Sequence, residues 1–111
     1  MNYKMYIAYI EECKELGSAE QLLGQIGFPP DMELTAEGLA TACEIIAAAA
    51  ESDVKRLISI AKSNIIRFAN KYGIPYRTVQ DWCSGARKPA DYLVILIGFE
   101  MITELPKDNL G

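Results

Sequence analysis

The chain of 111 residues contains no histidine, and its cysteines are few and far apart. The absence of histidine excludes histidine-based acid–base catalysis, histidine-activated nucleophiles and histidine metal ligands. Cys13, Cys43 and Cys83 lack the spacing of a metal or redox motif and are interpreted as buried or inert thiols. No glycine-rich phosphate loop occurs either. These absences predict a protein that is not an enzyme and has no cofactor or metal.

Long apolar runs are also missing, although half of the residues are hydrophobic. No run reaches the roughly 18 residues that a membrane-spanning helix needs. Residues 1–4 do not begin a secretory signal, because the charge, apolar and cleavage pattern of a signal is lacking. We therefore expect a cytoplasmic protein with no membrane contact. The length suits one compact hydrophobic core with a small additional segment.

Charge is distributed unevenly along the chain. Residues 62–88 contain six basic residues and one acid, Asp81, which gives a net charge near +5. The remaining residues carry five basic and fourteen acidic side chains, near −9, so the total of −4 averages two unlike regions. Nonspecific attraction to phosphate comes from local lysines and arginines, so the basic segment favours DNA binding. The alternative is a solvated helical surface that is basic by chance.

The basic segment begins with a predicted amphipathic helix. Its apolar residues recur at the three- and four-residue spacing of one helix face: Ile65, Phe68, Ala69 and Tyr72. Either Ser63 or Asn64 is placed to cap the start of this helix. Gly73 provides the left-handed residue at which helices often end, and Pro75 is suited to the first turn of the next helix. The pattern predicts two helices joined by a sharp turn at residues 73–75.

The second predicted helix has one apolar and one polar face. Val79 and Trp82 lie three positions apart and are expected to face inward. The side chains expected to face outward are Tyr76, Arg77, Gln80 and Asp81. Gly85 is placed to end the helix, and Pro89 precedes an apolar run at residues 92–97. That run predicts a closing helix, at residues 92–102.

The stretch from residue 53 to residue 103 resembles the repressor-type helix-turn-helix family. These lambda-repressor-like, or Xre-like, domains occur in phage repressors, antitoxins and many small bacterial regulators. The features that match in type and spacing are Ala69, Gly73, Val79, Trp82, Gly85, the basic pair Arg87 and Lys88, and Pro89. Two positions depart from the family pattern. Ile65 stands where the family often has a polar phosphate-contacting residue, and Cys83 stands where it often has glutamate.

The first fifty residues are also predicted to be helical. Tyr6, Ile10 and Cys13 form one stripe of a first helix, and residues 19–26 suit a short second helix. Thr35 is placed to cap an alanine-rich helix that continues to Ala50. In addition, Leu34 and Leu39 suit a hydrophobic staple at the start of that helix. The small residues of the alanine-rich helix, among them Ala36, Ala40 and Ala47, are expected to pack against another helix of this chain or of a second copy, with packing inside the chain preferred.

We therefore expect an all-α fold of about seven helices. An N-terminal helical segment of unknown role, residues 1–50, precedes a lambda-repressor-like helix-turn-helix domain at residues 51–105. The first helix of that domain is expected at residues 53–61. Residues 106–111 are expected to form a C-terminal tail.

The resemblance implies sequence-specific binding of double-stranded DNA by a small transcriptional regulator of bacterial or phage type. The helix at residues 75–82 would enter the major groove. The candidates for base contacts are Arg77 and Gln80, with Tyr76 and Thr78 as secondary candidates. The candidates for phosphate contacts are Arg87 and Lys88, with Lys71 and Arg67 as weaker candidates. The family also implies a homodimer on paired half-sites.

A second interpretation is a helix-turn-helix that has become a protein-interaction module, with weak or no DNA binding. Examples of this class are an antitoxin, a phage inhibitor or an adaptor. Ile65, Asp81 and Cys83 favour this interpretation. Residues 1–50, with two basic and eight acidic residues, would also favour a protein partner. Alternatively, this acidic half lies against the basic residues of its own chain or of a second copy.

Overall fold

The computed structural model describes residues 2–16 and 35–105, and all regular secondary structure in these ranges is helical. This confirms the predicted all-α class. The helix predicted at 19–26, the Leu34 side of the staple and the C-terminal tail lie outside the described residues. The helices in the described ranges are α1 (Tyr3–Leu16), α2 (Ala36–Ala50), α3 (Val54–Ile60), α4 (Ile65–Tyr72), α5 (Tyr76–Ser84) and α6 (Asp91–Thr103).

Polar side chains cap the starts of α2, α3 and α4. Thr35, Asp53 and Asn64 each accept a hydrogen bond from the backbone N–H three residues later, at 2.9, 3.0 and 2.9 Å. These bonds satisfy amide groups that have no partner inside the helix. The predicted caps at Thr35 and, of the two alternatives, at Asn64 are confirmed. The helix predicted at 53–61 is also confirmed, with Asp53 and Ala61 as its flanking cap residues.

The alanine-rich α2 forms the centre of the core. It packs against α1, α3 and α6. Its buried residues are Leu39, Ala42, Cys43, Ile45, Ile46, Ala47, Ala48 and Ala49. Small side chains permit neighbouring helices to approach closely, so one helix can contact three others. The predicted packing of Ala47 is confirmed, whereas Ala40, which was expected to pack in the same way, is exposed.

Helix α1 attaches to this core through the predicted apolar stripe. Tyr6, Ile10 and Cys13 are buried, as their spacing indicated. The Tyr6 hydroxyl donates a hydrogen bond of 2.6 Å to the carbonyl oxygen of Ile95 in α6. The centroid of its ring also lies 5.3 Å from the centroid of the Phe99 ring. Burial raises the pKa of Tyr6 well above its usual value, so the phenol remains protonated.

Helix α6 confirms the predicted closing helix and extends it by one residue at each end, relative to residues 92–102. Its buried residues are Val94, Ile97, Gly98, Met101 and Ile102. The opposite face exposes Tyr92 and Leu96. Helix α2 ends at Ala50, the last residue of the N-terminal segment expected from the sequence. The buried core nevertheless draws residues from both sides of that point.

Gly98 permits the close approach of α1, α2 and α6. A Cβ atom placed at Gly98 would lie 2.5 Å from the Tyr6 hydroxyl oxygen. It would also lie 3.3 Å from side-chain carbons of both Ala49 and Ile45. The hydroxyl of Tyr6 therefore occupies the space that a side chain at this position would need.

We predict a non-additive effect for Gly98→Ala and Tyr6→Phe. The first should cost about 1–3 kcal/mol by overpacking, and the second about 1 kcal/mol by loss of the hydrogen bond to Ile95. Tyr6→Phe removes the hydroxyl oxygen that would clash with a Cβ atom at position 98. The double variant should therefore be more stable than the sum of the two single effects indicates. Urea unfolding of all four proteins measures this coupling. Strict additivity would show that the hydroxyl does not limit the space at Gly98.

Candidate nucleic-acid interface

A short turn at residues 73–75 joins α4 to α5. Gly73 has a φ of +66°, and its N–H donates to the carbonyl oxygen of Ala69. Since L side chains rarely adopt this left-handed conformation, glycine allows α4 to end here without strain. Pro75 is the N-cap residue of α5, with φ −57° and ψ 137°. The predicted role of Gly73 is confirmed, and Pro75 lies immediately before the helix rather than within its first turn.

Helix α5 has the two faces that its sequence predicts. Val79 is completely buried, and Trp82 is partly buried against the core. The side chains of Tyr76, Arg77 and Gln80 are exposed on the other side. Thr78, a secondary candidate for base contact, is half-buried. The buried face therefore fixes α5 to the core and leaves three long polar or aromatic side chains free to contact a ligand.

Asp81 differs from the outward-facing residues with which the sequence grouped it. Its side chain is only 21% exposed, and its carboxylate oxygens lie 3.7 Å from the Nε atoms of both Arg77 and Arg87. The carbonyl oxygen of Asp81 also accepts bonds of 3.2 Å from the Arg87 N–H and the Ser84 hydroxyl. Asp81 therefore connects α5 to the segment that follows it. The two arginine side chains remain 84% and 73% exposed.

The end of α5 brings the predicted phosphate-contacting pair to the surface. Gly85 ends the helix with a φ of +84°, which confirms its predicted role. Arg87 and Lys88, which follow it, are both exposed. Three exposed residues of α5 and this pair form what we call the α5 surface: Tyr76, Arg77, Gln80, Arg87 and Lys88.

The two weaker phosphate candidates lie at opposite ends of α4. Arg67 is exposed in its first turn. Lys71 instead forms ion pairs with two carboxylates at the end of α6. Its Nζ atom lies 2.6 Å from Oε2 of Glu104, the C-cap residue, and 3.8 Å from Oε1 of Glu100. The hydrogen bond from Lys71 to Glu104 raises the pKa of Lys71 and lowers the pKa of Glu104. The Tyr72 hydroxyl donates to Glu100 at 2.5 Å. Lys71 therefore has neighbouring carboxylates that compete with a phosphate.

A surface groove of about 400 Å³ opens between α3, α4 and α5. It is lined by Lys55, Ile58, residues 64–66, Tyr76 and Cys83. Ile66 and Tyr76 are 58% and 48% exposed, so two large apolar side chains of the lining are accessible to a ligand. Ile65 and Cys83, the two departures from the family pattern, both line this groove. We refer to it as the apolar groove.

Three cysteines lie in the described ranges, residues 2–16 and 35–105. Cys13 and Cys43 are buried and Cys83 is half-buried, all as free thiols. Burial raises the pKa of each thiol, which reduces its reactivity. Within the described ranges, no three cysteine or acidic side chains lie close enough together to hold a metal ion. None of the described helices has the length and apolar character to cross a membrane.

No protein-family model, curated protein or solved structure matches this chain. Function is therefore inferred from the geometry and charge of its own side chains. On those grounds the α5 surface and the adjoining apolar groove are the strongest candidates, because they combine exposed long side chains with the basic part of the chain.

The start of α4, which borders this interface, depends on its cap. We predict that Asn64→Ala lowers the free energy of unfolding by about 1 kcal/mol, because the Arg67 N–H loses its acceptor. The matched control is Asn70→Ala, an exposed position inside the same helix, where alanine should be neutral or slightly stabilising. Thermal unfolding of both variants measures the difference. Equal stability of the two would contradict the capping role of Asn64.

Proposed function

We propose that this chain is a sequence-specific DNA-binding protein of the repressor-type helix-turn-helix class, acting as a small transcriptional regulator. The observation that carries the proposal is the exposure of Arg77 and Gln80 on α5, opposite the buried Val79. A helix anchored on one face and polar on the other suits insertion into the major groove. The short turn at Gly73, which joins α4 to α5, supports the same class.

Arg77 and Gln80 are the proposed base readers. Arginine forms two hydrogen bonds with the O6 and N7 atoms of guanine, and glutamine forms two with adenine. The side chain of Arg77 extends into solvent, with a single carboxylate, that of Asp81, near its Nε atom. Tyr76 is a further candidate at the first position of α5, whereas the half-buried Thr78 has a shorter reach.

Arg87 and Lys88 are the proposed phosphate contacts. They follow the Gly85 turn, so they lie at the end of α5 opposite to Tyr76. Contacts of this kind orient a protein on the duplex and carry no sequence information themselves. Arg67 is a secondary candidate, and Lys71 ranks below it because of its pairing with Glu104.

The proposed protein is a homodimer on paired half-sites, separated by about 34 Å or a multiple of it. Tyr92 and Leu96 support self-association, because they are 70% and 47% exposed and lie four residues apart on α6. Paired apolar side chains at this spacing suit a helix–helix contact.

A second candidate function is a protein-interaction module. One observation favours it: the exposed apolar side chains of Ile66 and Tyr76 line a groove next to the α5 surface. Apolar surface of this kind is common where proteins bind one another.

Fluorescence anisotropy separates the two candidates. The purified protein is titrated against a random duplex and against the DNA upstream of its own gene, at low and at physiological salt. Preferential and salt-sensitive binding of the upstream DNA is the expected result. An absence of binding even at low salt would contradict the proposal and favour the protein-interaction module.

We predict different defects for Arg77→Ala and Lys88→Ala. The first should reduce discrimination between preferred and random DNA by about 1–3 kcal/mol, because it removes a base contact. The second should weaken binding to both DNAs alike and reduce the salt slope by about 1. Lys4→Ala, which removes an exposed charge from α1, is the control and should leave both properties unchanged. Unaltered discrimination by the Arg77 variant would disprove its role as a base reader.

We also predict that Asp81→Asn strengthens binding to random DNA. The substitution raises the net charge of residues 62–88 from near +5 to near +6 and removes the carboxylate between Arg77 and Arg87. The increase should be larger at low salt, since it is electrostatic. The matched control is Glu44→Gln, which removes an exposed acid from α2. If both changes have the same effect, the position of Asp81 between the arginines is not important for binding.

A further inference from the structure

We propose that the apolar groove recognises the 5-methyl group of a thymine in the major groove of DNA. This inference rests on the proposed DNA-binding function and extends it to the bases that are selected. Ile66 and Tyr76 are the residues assigned to the contact.

The position of the groove supports this assignment. Tyr76 is the first residue of α5 and the immediate neighbour of Arg77, the main proposed base reader. Ile66 lies in the first turn of α4, on the other side of the groove. A base contacted by Tyr76 would therefore be adjacent to the base contacted by Arg77 or separated from it by one base pair.

The chemistry of the lining favours an apolar group. Three of the seven lining residues are isoleucines: Ile58, Ile65 and Ile66. Asn64 also lines the groove, but its Oδ1 atom already accepts the hydrogen bond from the Arg67 N–H. Among the four bases, only thymine presents an apolar group, its methyl, in the major groove.

The charges near the groove favour DNA over an uncharged partner. Lys55 is part of the lining, Arg67 follows Ile66, and Arg77 follows Tyr76 in the chain. An occupant should therefore combine negative charge with a small apolar group. Duplex DNA combines these features, because phosphates flank each thymine methyl. The resulting expectation is a preferred site in which a thymine lies close to the guanine read by Arg77.

Replacement of thymine by uracil tests the proposal, since it removes only the methyl group. The preferred duplex is first selected from a random pool by the full chain, then synthesised with each thymine replaced singly. We expect one replacement, or its symmetry mate, to weaken binding by about threefold to fivefold, the effect of one buried methyl group. Ile66→Ala and Tyr76→Ala should bind the thymine and uracil duplexes equally at that position.

Tyr3→Ala is the matched control, because it removes an exposed tyrosine from α1, outside the groove. It should distinguish thymine from uracil as the wild type does. Thermal unfolding of all variants checks the fold, and small changes are expected because Ile66 and Tyr76 are largely exposed.

The possible failures are distinguishable. A wild-type protein that selects a sequence but binds thymine and uracil duplexes equally would overturn the groove assignment and leave the proposed function intact. Discrimination that persists in both Ile66→Ala and Tyr76→Ala would also overturn the assignment, because another part of the protein would read the methyl group. No preference for any duplex would overturn both proposals and favour an acidic protein segment as the occupant of the groove.

Discussion

Close packing around the alanine-rich helix α2 is the constraint on which the other helices depend. Helix α2 packs against α1, α3 and α6, and all of its buried side chains except Leu39 are small or β-branched. Larger residues would move those helices apart, because protein cores are already filled to high density. Gly98 of α6 shows how little space remains, since the hydroxyl of Tyr6 and the side chain of Ala49 border it directly.

The position of the α5 surface follows from this packing. Helix α3, which contacts α2, also packs against α5, and α5 in turn contacts α4. The buried Val79 belongs to the same continuous core as residues of α1 and α2. A rigid attachment of this kind benefits recognition, because Arg77 and Gln80 then lose little conformational freedom of the backbone when they bind. The N-terminal helices therefore contribute to the proposed interface by holding it in place.

The features predicted well from the sequence are those set by neighbouring residues. Gly73 and Gly85 act at helix ends through their own backbone conformation, so spacing and residue type were sufficient to identify them. Asn64 caps α4 through its own side chain, but residue type alone left Ser63 as an alternative. The same is true of the buried stripe on α1, because it follows from helical periodicity.

The features that were missed depend on residues far apart in the chain. The Tyr6 hydroxyl contacts Ile95, 89 positions away, and Lys71 pairs with Glu104, 33 positions away. The apolar groove likewise requires the relative placement of three helices. Helical periodicity also placed Asp81 outside, but its proximity to Arg87 depends on the chain path after Gly85. A sequence pattern contains no direct record of such distances.

The central claim is that DNA binds to the α5 surface, and amide NMR of the full chain titrated with a duplex tests it most directly. The account predicts that the largest shift changes occur at residues 76–80 and 85–88 and at the start of α4, with little change in α1 and α2. Changes concentrated on α1 or α2 would contradict it, as would the absence of any change at low salt.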